Sequence, residues 1–195
     1  MDGQPFPAPE EFGDEVIGDN VMVLKQIDRS MRGDTTVLTI YDRATCWLEG
    51  RPAATKSKTS ASSAPNLSKG SQKIERFYGD CVGELYAACR DLGFTPDQAR
   101  PDRHETNGVI ERANRTLLDG TRACLFQSGL PHRYWREAVE AFCQMHNTNN
   151  IRRNGKTAYD LRHKTKFLGR RLPFGAKIFY KPAACLLYTS PSPRD

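Results

Sequence analysis

The first third of the chain is predicted to form strands, because short apolar runs alternate there with turn-forming residues. Residues 16–24 (VIGDNVMVL) and 35–42 (TTVLTIYD) are rich in β-branched side chains and are separated by an Arg-Gly-Asp turn at 32–34. Residues 45–50 (TCWLEG) and 74–80 (IERFYGD) have the composition of further strands. We expect 16–24 and 35–42 to pair and to begin the antiparallel part of a sheet.

Helical spacing dominates the second half of the chain. Apolar residues in steps of three and four predict a long helix over 106–128, which Gly129 ends, and a second helix over 134–148. A shorter helix is predicted over 82–92, directly after the last strand. The stripe of the long helix consists of Ile110, Ala113, Leu117, Thr121 and Cys124. This order predicts an α/β fold, with a mixed sheet that is antiparallel in its first three strands and flanked by helices.

Two stretches between these elements show no clear period. Residues 51–72 are dominated by Ser, Ala, Lys, Thr and Pro, and we interpret them as a loop or a poorly specified helix. Residues 95–101 contain Pro96 and Pro101, and we interpret them as a connecting segment.

Length and composition place the chain among intracellular globular proteins. Its 195 residues allow one domain with a sizeable core and an appendage, and no apolar run approaches the ~20 residues that cross a bilayer. The N-terminus has no secretory signal, and we expect no membrane partner. The six cysteines are scattered, and Cys143 and His146 have metal-like spacing but no second ligand pair nearby. We therefore predict no zinc site.

The charge is unevenly distributed along the chain. The formal net charge is +6, yet residues 1–20 carry six acidic and no basic side chains. Residues 151–181 carry ten basic side chains and a single acidic one, Asp160. Such a segment can neutralise phosphates and bind nucleic acid without sequence preference, although a solvated surface has the same composition.

Three acidic residues occupy positions where carboxylates commonly carry chemistry. Asp19 lies inside the first predicted strand, Asp80 ends a later strand, and Glu111 lies in the first turns of the long helix. Burying an acid within an apolar strand is unfavourable unless it is paired or bound to a metal. Carboxylates of this kind hold Mg²⁺ or Mn²⁺ in enzymes that transfer phosphoryl groups.

Each of the three acids also has an ordinary structural explanation. Asp19 can end an edge strand, and Asp80 can cap the helix that follows it. Glu111 can form an ion pair with Arg115, four residues further along the helix. Periodicity and composition leave these alternatives open.

The sequence around these acids resembles a known family. Residues 104–117 (HETNGVIERANRTL) are similar to the signature helix of copia-type retrotransposon integrases, which supplies the final catalytic glutamate. Residues 77–85 (FYGDCVGEL) and 12–20 (FGDEVIGDN) resemble the strands that carry the family's two catalytic aspartates. Asp42 is similar to an aspartate with a structural role on the family's second strand.

The resemblance implies a ribonuclease-H-like, DDE-type polynucleotidyl transferase core. Asp19, Asp80 and Glu111 would be its catalytic and metal-binding residues, with Mg²⁺ or Mn²⁺ as cofactor. The implied activity is 3′-end processing and strand transfer of retrotransposon DNA into target DNA, with double-stranded DNA as substrate and a homo-oligomer as the full-length form. The implied location is the nucleus, and a cytoplasmic particle is the alternative location. The candidate nucleic-acid-binding residues are Asn107, Arg112, Arg115, Arg122, Arg152, Arg153 and Lys156.

Several departures from the family pattern keep other functions open. Gly79 and Cys81 flank Asp80 where the family has Ser-Asp-Gly or Ser-Asp-Asn, and the interval from Asp80 to Glu111, 111 minus 80, is 31 positions, shorter than is usual. The alternative is therefore a catalytically inactive integrase remnant that only binds nucleic acid. An unrelated basic α/β domain that binds protein partners is a third hypothesis.

We divide the chain into four segments. Residues 1–12 form an acidic N-terminal segment, 13–150 the predicted integrase core, and 151–184 a basic post-core segment. Residues 185–195 (CLLYTSPSPRD) resemble a translated adapter sequence, and we expect them to be a non-native tail.

Overall fold

The computed structural model describes residues 8–22, 29–55, 74–79, 95–98 and 104–179. The helix predicted over 82–92 lies outside these residues, as do Asp80 and most of the stretch 51–72.

The described strands form a mixed five-stranded sheet. They are β1 (Val16–Met22), β2 (Thr36–Asp42), β3 (Leu48–Ala53), β4 (Arg76–Gly79) and β5 (Thr95–Gln98). Their order across the sheet is β3-β2-β1-β4-β5. β1, β2 and β3 pair antiparallel, whereas β4 lies parallel to β1 and β5 parallel to β4. The predicted mixed sheet with an antiparallel beginning is confirmed.

A tight turn before β2 supports the predicted pairing of the first two strands. Gly33 adopts a φ of +83°, which suits a residue without a side chain. The Ser30 hydroxyl donates to Asp34 Oδ2 at 2.7 Å and accepts the Asp34 backbone N–H at 2.9 Å. Arg136 also donates to Asp34 Oδ2, at 2.8 Å, and this ion pair joins the turn to the helical layer.

Helices cover one face of the sheet. They are α1 (His104–Ser128), α2 (Trp135–Asn149) and the short α3 (Ala158–His163), with a 3₁₀ turn at His132–Tyr134. Gly129 ends α1 with a φ of +65°. α3, which we did not predict, begins with a capping box in which Thr157 and Asp160 bond each other's backbone N–H groups. In the described part of the chain, no helix has both the length and the apolar character that crossing a bilayer requires.

The predicted stripe of α1 forms the core against the sheet. All five of its residues are buried, and Leu117 is fully inaccessible to solvent. Ile110, Ala113 and Leu117 pack with Trp135 and Val139 of α2 and with Ile17 of β1. Gly50 of β3 lies so close to the Val139 side chain that a Cβ atom at this position would collide with it. The helical layer therefore sits directly on the sheet.

Two expectations about the strands were wrong. Residues 95–98 were expected to be part of a connecting segment. They form the strand β5 instead, because they pair with β4. β3 starts at Leu48 rather than at residue 45 and continues to Ala53, so residues 51–53, expected to be loop, belong to a strand. Pro52 is tolerated there because β3 is an edge strand of the described sheet, where one side of the backbone needs no partner.

Side chains of α2 occupy the outer edge of β3. Asn147 is 2% exposed, accepts the Leu48 N–H at 2.9 Å and donates to the Leu48 carbonyl at 2.8 Å. Burial raises the pKa of the Cys143 thiol, four residues earlier on α2, to about 12, although the nearby Gly50 backbone acts in the opposite direction. Cys143 therefore serves as a protonated core residue on its helix.

The segment that carries α3 is anchored by a buried arginine. The guanidinium of Arg162 lies 4.0 Å from the Phe12 ring centroid and 4.3 Å from that of Trp47. Its side chain therefore joins the N-terminal segment, the β2–β3 connection and α3.

Candidate active site

Asp19 is attached to α1 by a side-chain hydrogen bond. It lies within β1, opposite Thr39 of β2, and its carboxylate is only partly accessible to solvent. Asn114 Nδ2 of α1 donates to Asp19 Oδ2 at 2.7 Å. The strand acid and the long helix therefore meet at a defined point.

Glu111 lies on the same flank of α1 as this contact. It precedes Asn114 by three residues, which is close to one helical turn, and it is exposed to solvent. Asp80 lies outside the described residues. In the sequence it directly follows Gly79, which is the register partner of Gly18, the residue before Asp19.

Two of the ordinary explanations for these acids are wrong. β1 has β2 on one side and β4 on the other, so Asp19 does not end an edge strand. Glu111 forms no ion pair with Arg115, although both lie within the described helix. The cap explanation for Asp80 falls on residues that are not described.

Oxygen atoms without hydrogen-bond partners lie at the Asp19–Asn114 contact. Asn114 Oδ1 is buried and has no partner among the described residues. Asp19 Oδ1 accepts no hydrogen bond there either. Hard cations such as Mg²⁺ take oxygen ligands of this kind. The described residues alone contain no group of three His, Cys, Asp or Glu side chains that could hold a metal ion.

Asp42 has the structural role that we expected. It is 2% exposed and accepts hydrogen bonds from the Gly13 N–H at 2.9 Å, the Thr45 N–H at 2.7 Å and the Thr45 hydroxyl at 2.6 Å. Burial raises the pKa of its carboxyl group, whereas these donors act in the opposite direction. The bond from Gly13 fixes the end of β2 against the residues that lead into β1, and the two bonds from Thr45 fix the connection that follows β2.

The candidate nucleic-acid-binding residues lie on α1 and in the segment after α2. Arg112, Arg115 and Arg122 are exposed on α1, and Arg122 pairs with Asp119 at 2.9 Å. Arg112 projects away from the Asn114 flank and lines a cavity together with Arg152. Arg153 and Lys156 are exposed after α2, and Asn107 lies in the first turn of α1. Their contacts with nucleic acid stay predictions.

Sequence reasoning assigned no role to Asn114. It lies within the motif at 104–117, but its function depends on the packing of α1 against β1, which no local pattern encodes. Its position three residues after Glu111, on the same helical flank, is the signal that would have found it.

Comparison with known proteins links this chain to integrases in sequence and in structure. No protein-family model matches it. The chain is 32% identical over 81 aligned residues to the retrovirus-related Pol polyprotein from transposon TNT 1-94 of Nicotiana tabacum. The match covers 39% of this chain and 6% of the polyprotein, so the chain spans a small part of that relative.

Solved structures with the same fold include three retroviral integrases. The catalytic core of BIV integrase matches with a TM-score of 0.59 and 17% identity, over 78% of this chain and 95% of that one. The HTLV-2 integrase catalytic core in complex with magnesium matches with a TM-score of 0.60 and 15% identity, over 78% and 98%.

A chain of the simian T-cell lymphotropic virus intasome, solved with a PP2A regulatory subunit, has a TM-score of 0.66 and 16% identity, over 92% and 62%. At these identities the structural matches establish the fold. Together with the similarity to the transposon polyprotein, they confirm the predicted resemblance to an integrase catalytic core of the ribonuclease-H-like type.

Proposed function

We propose that this chain, which has the fold of a retroviral integrase catalytic core, acts in DNA integration as a metal-dependent polynucleotidyl transferase. The proposed reactions are 3′-end processing of retrotransposon DNA and transfer of that end into target DNA. The similarity to a transposon polyprotein supports the retrotransposon origin. The solved intasome supports an oligomer bound to DNA, and the nucleus is the proposed location.

The hydrogen bond from Asn114 to Asp19 is the observation that carries this proposal. It joins the central strand β1 to the helix that bears Glu111, and it uses only one oxygen of the Asp19 carboxylate. The other oxygen, Oδ1, accepts no hydrogen bond among the described residues, and a half-buried carboxylate oxygen without a partner is unfavourable. We assign Asp80 as the third carboxylate because it follows β4, the parallel neighbour of β1.

The proposed cofactor is Mg²⁺ or Mn²⁺, held by Asp19, Asp80 and Glu111. The magnesium complex of the HTLV-2 core supports a divalent ion in this fold. When bound, such an ion activates the attacking oxygen and stabilises the leaving oxygen in a phosphodiester. Asn114 would hold the Asp19 carboxylate in one orientation, so that its free oxygen Oδ1 stays available as a ligand.

The residue that tests the proposal most directly is Glu111, because it is exposed and can change without disturbing the core. The assay measures nicking and strand transfer on a labelled duplex with a retrotransposon end, in Mg²⁺ or Mn²⁺. We expect Glu111→Gln to reduce the rate by at least 10²-fold, in keeping with the several kcal/mol that a metal can contribute to a transition state. The exposed Glu75→Gln is the matched control. Equal activity of Glu111→Gln and the wild type would disprove the assignment.

An inactive remnant that only binds nucleic acid is the alternative function. The exposed arginines of α1 and the basic residues after α2 favour this alternative, because such side chains bind nucleic acid without a metal ion. It predicts salt-sensitive retention of duplex DNA without cleavage in either metal. Mn²⁺ binding by the wild type, reduced in Asp19→Asn, would show an intact metal site even if cleavage were absent.

A further inference from the structure

A second polar site lies on the other flank of α1. It is a cavity of about 380 Å³ between the end of β2, the beginning of α1 and the end of α2. Its polar lining includes Tyr41, Arg43, Arg112, His146 and Arg152. Neither Asp19 nor Glu111 lines it.

Helix geometry separates this cavity from the candidate active site. The residues of α1 that line it are Val109, Arg112, Ala113 and Thr116, which follow steps of three and four. Glu111 and Arg112 are neighbours in sequence and therefore point about 100° apart around the helix. The buried stripe of α1 lies between the two flanks.

Among the described residues, cationic side chains line the cavity and acidic side chains do not. Arg112 has no hydrogen-bond or ion-pair partner among the described residues. Arg152 donates through Nη2 to the Cys46 carbonyl at 3.1 Å, but its buried Nε has no partner. Arg43 is paired with Glu15, outside the cavity lining. Two guanidinium groups thus remain without a compensating anion.

Tyr41 and His146, which also line the cavity, add neutral donors. Burial raises the pKa of Tyr41 above its usual range, so its hydroxyl keeps its proton. Burial and the nearby charge of Arg152 lower the pKa of His146, so its imidazole is neutral and carries one N–H group at neutral pH. These donors complement a ligand that is rich in acceptor oxygens.

We propose that this cavity binds a phosphate group. Guanidinium groups bind phosphate oxygens through paired charged hydrogen bonds, and a concave site excludes part of the competing water. The group can belong to the backbone of a DNA duplex or to a free phosphate. Phosphate binding in this cavity does not depend on integration activity, since Asp19, Asp80 and Glu111 take no part in it.

The test compares two variants of the cavity with a control outside it. Arg112→Gln removes a cationic donor from an exposed position, and Thr116→Phe fills the cavity without changing the charge. Arg133→Gln removes the same charge from an exposed residue that does not line the cavity. Inorganic phosphate is titrated by calorimetry at an ionic strength fixed with chloride, and a labelled 30-base-pair duplex is titrated by fluorescence anisotropy.

We expect both cavity variants to bind at least one probe about ten-fold more weakly than the wild type, with Arg133→Gln close to the wild type for that probe. A ten-fold loss for the duplex identifies the DNA backbone as a source, and a loss for phosphate alone identifies the free anion. If the cavity variants bind both probes as the wild type does, or if Arg133→Gln weakens binding equally, the proposal is wrong. Failure of the Glu111→Gln cleavage test would leave this result unaffected.

Discussion

Replacing Asn147 by leucine is expected to destabilise the fold by removing its hydrogen bonds to Leu48 of β3. The amide of Asn147 takes the place of a neighbouring strand by accepting one hydrogen bond from Leu48 and donating another to it. Leucine has a similar size, so the packing changes little while both bonds are lost. The loss of two hydrogen bonds, which leaves two buried backbone groups without partners, should lower the free energy of unfolding by about 2–4 kcal/mol.

Urea unfolding followed by tryptophan fluorescence measures this loss of free energy. Thermal unfolding is the second measurement, and its midpoint should fall by about 5–15 °C for a domain of this size. Gln144→Leu, at an exposed position of the same helix, is the matched control and should change the free energy by less than about 0.5 kcal/mol. A loss below about 1 kcal/mol for Asn147→Leu would refute the view that this amide stabilises the strand.

Two further predictions concern stability. Arg162→Ala should lower the free energy of unfolding by about 2–3 kcal/mol, because it removes a cation held between two aromatic rings together with its packed stem. Guanidinium unfolding checks this, and an effect as small as that of exposed Arg133→Ala would contradict it. The lowered pKa of His146 means that the unfolded chain binds a proton more readily than the folded chain, so stability should fall as pH decreases from 6.5. His146→Gln should flatten this decline in urea midpoints relative to the exposed His132→Gln, and parallel curves would disprove the assignment.

The long-period patterns of the sequence predicted much of the fold. The stripe of α1 followed from its helical periodicity, because the helix buries one continuous face. The pairing of β1 with β2 followed from two apolar runs rich in β-branched residues that are separated by a turn. β5 was missed because its four residues include Pro96 and its identity as a strand depends on β4. The contact between Asn147 and Leu48 joins residues 99 positions apart, and a polar residue on α2 gives no local sign of it.

Part of the candidate site also depends on contacts between distant segments, which local sequence patterns do not encode. Asp19 and Glu111 were proposed from the family motifs, whereas the hydrogen bond from Asn114 to Asp19 depends on the packing of α1 on β1. The basic segment after the core was interpreted as able to bind nucleic acid, with a solvated surface as the alternative. Its Arg162 is instead buried between aromatic rings, because a planar guanidinium can stack where a lysine cannot.

The occupied edge of β3 also limits how this protein can associate. An open edge strand normally presents backbone groups that recruit strands of other chains and promote aggregation. On the outer side of β3, the backbone of Leu48 is hydrogen-bonded to Asn147, and Pro52 has no N–H group. Two of the three residues on the side facing away from β2, Leu48 and Pro52, therefore offer no free donor. Intermolecular strand addition is disfavoured along this edge, and contacts between copies of the chain must form through other surfaces.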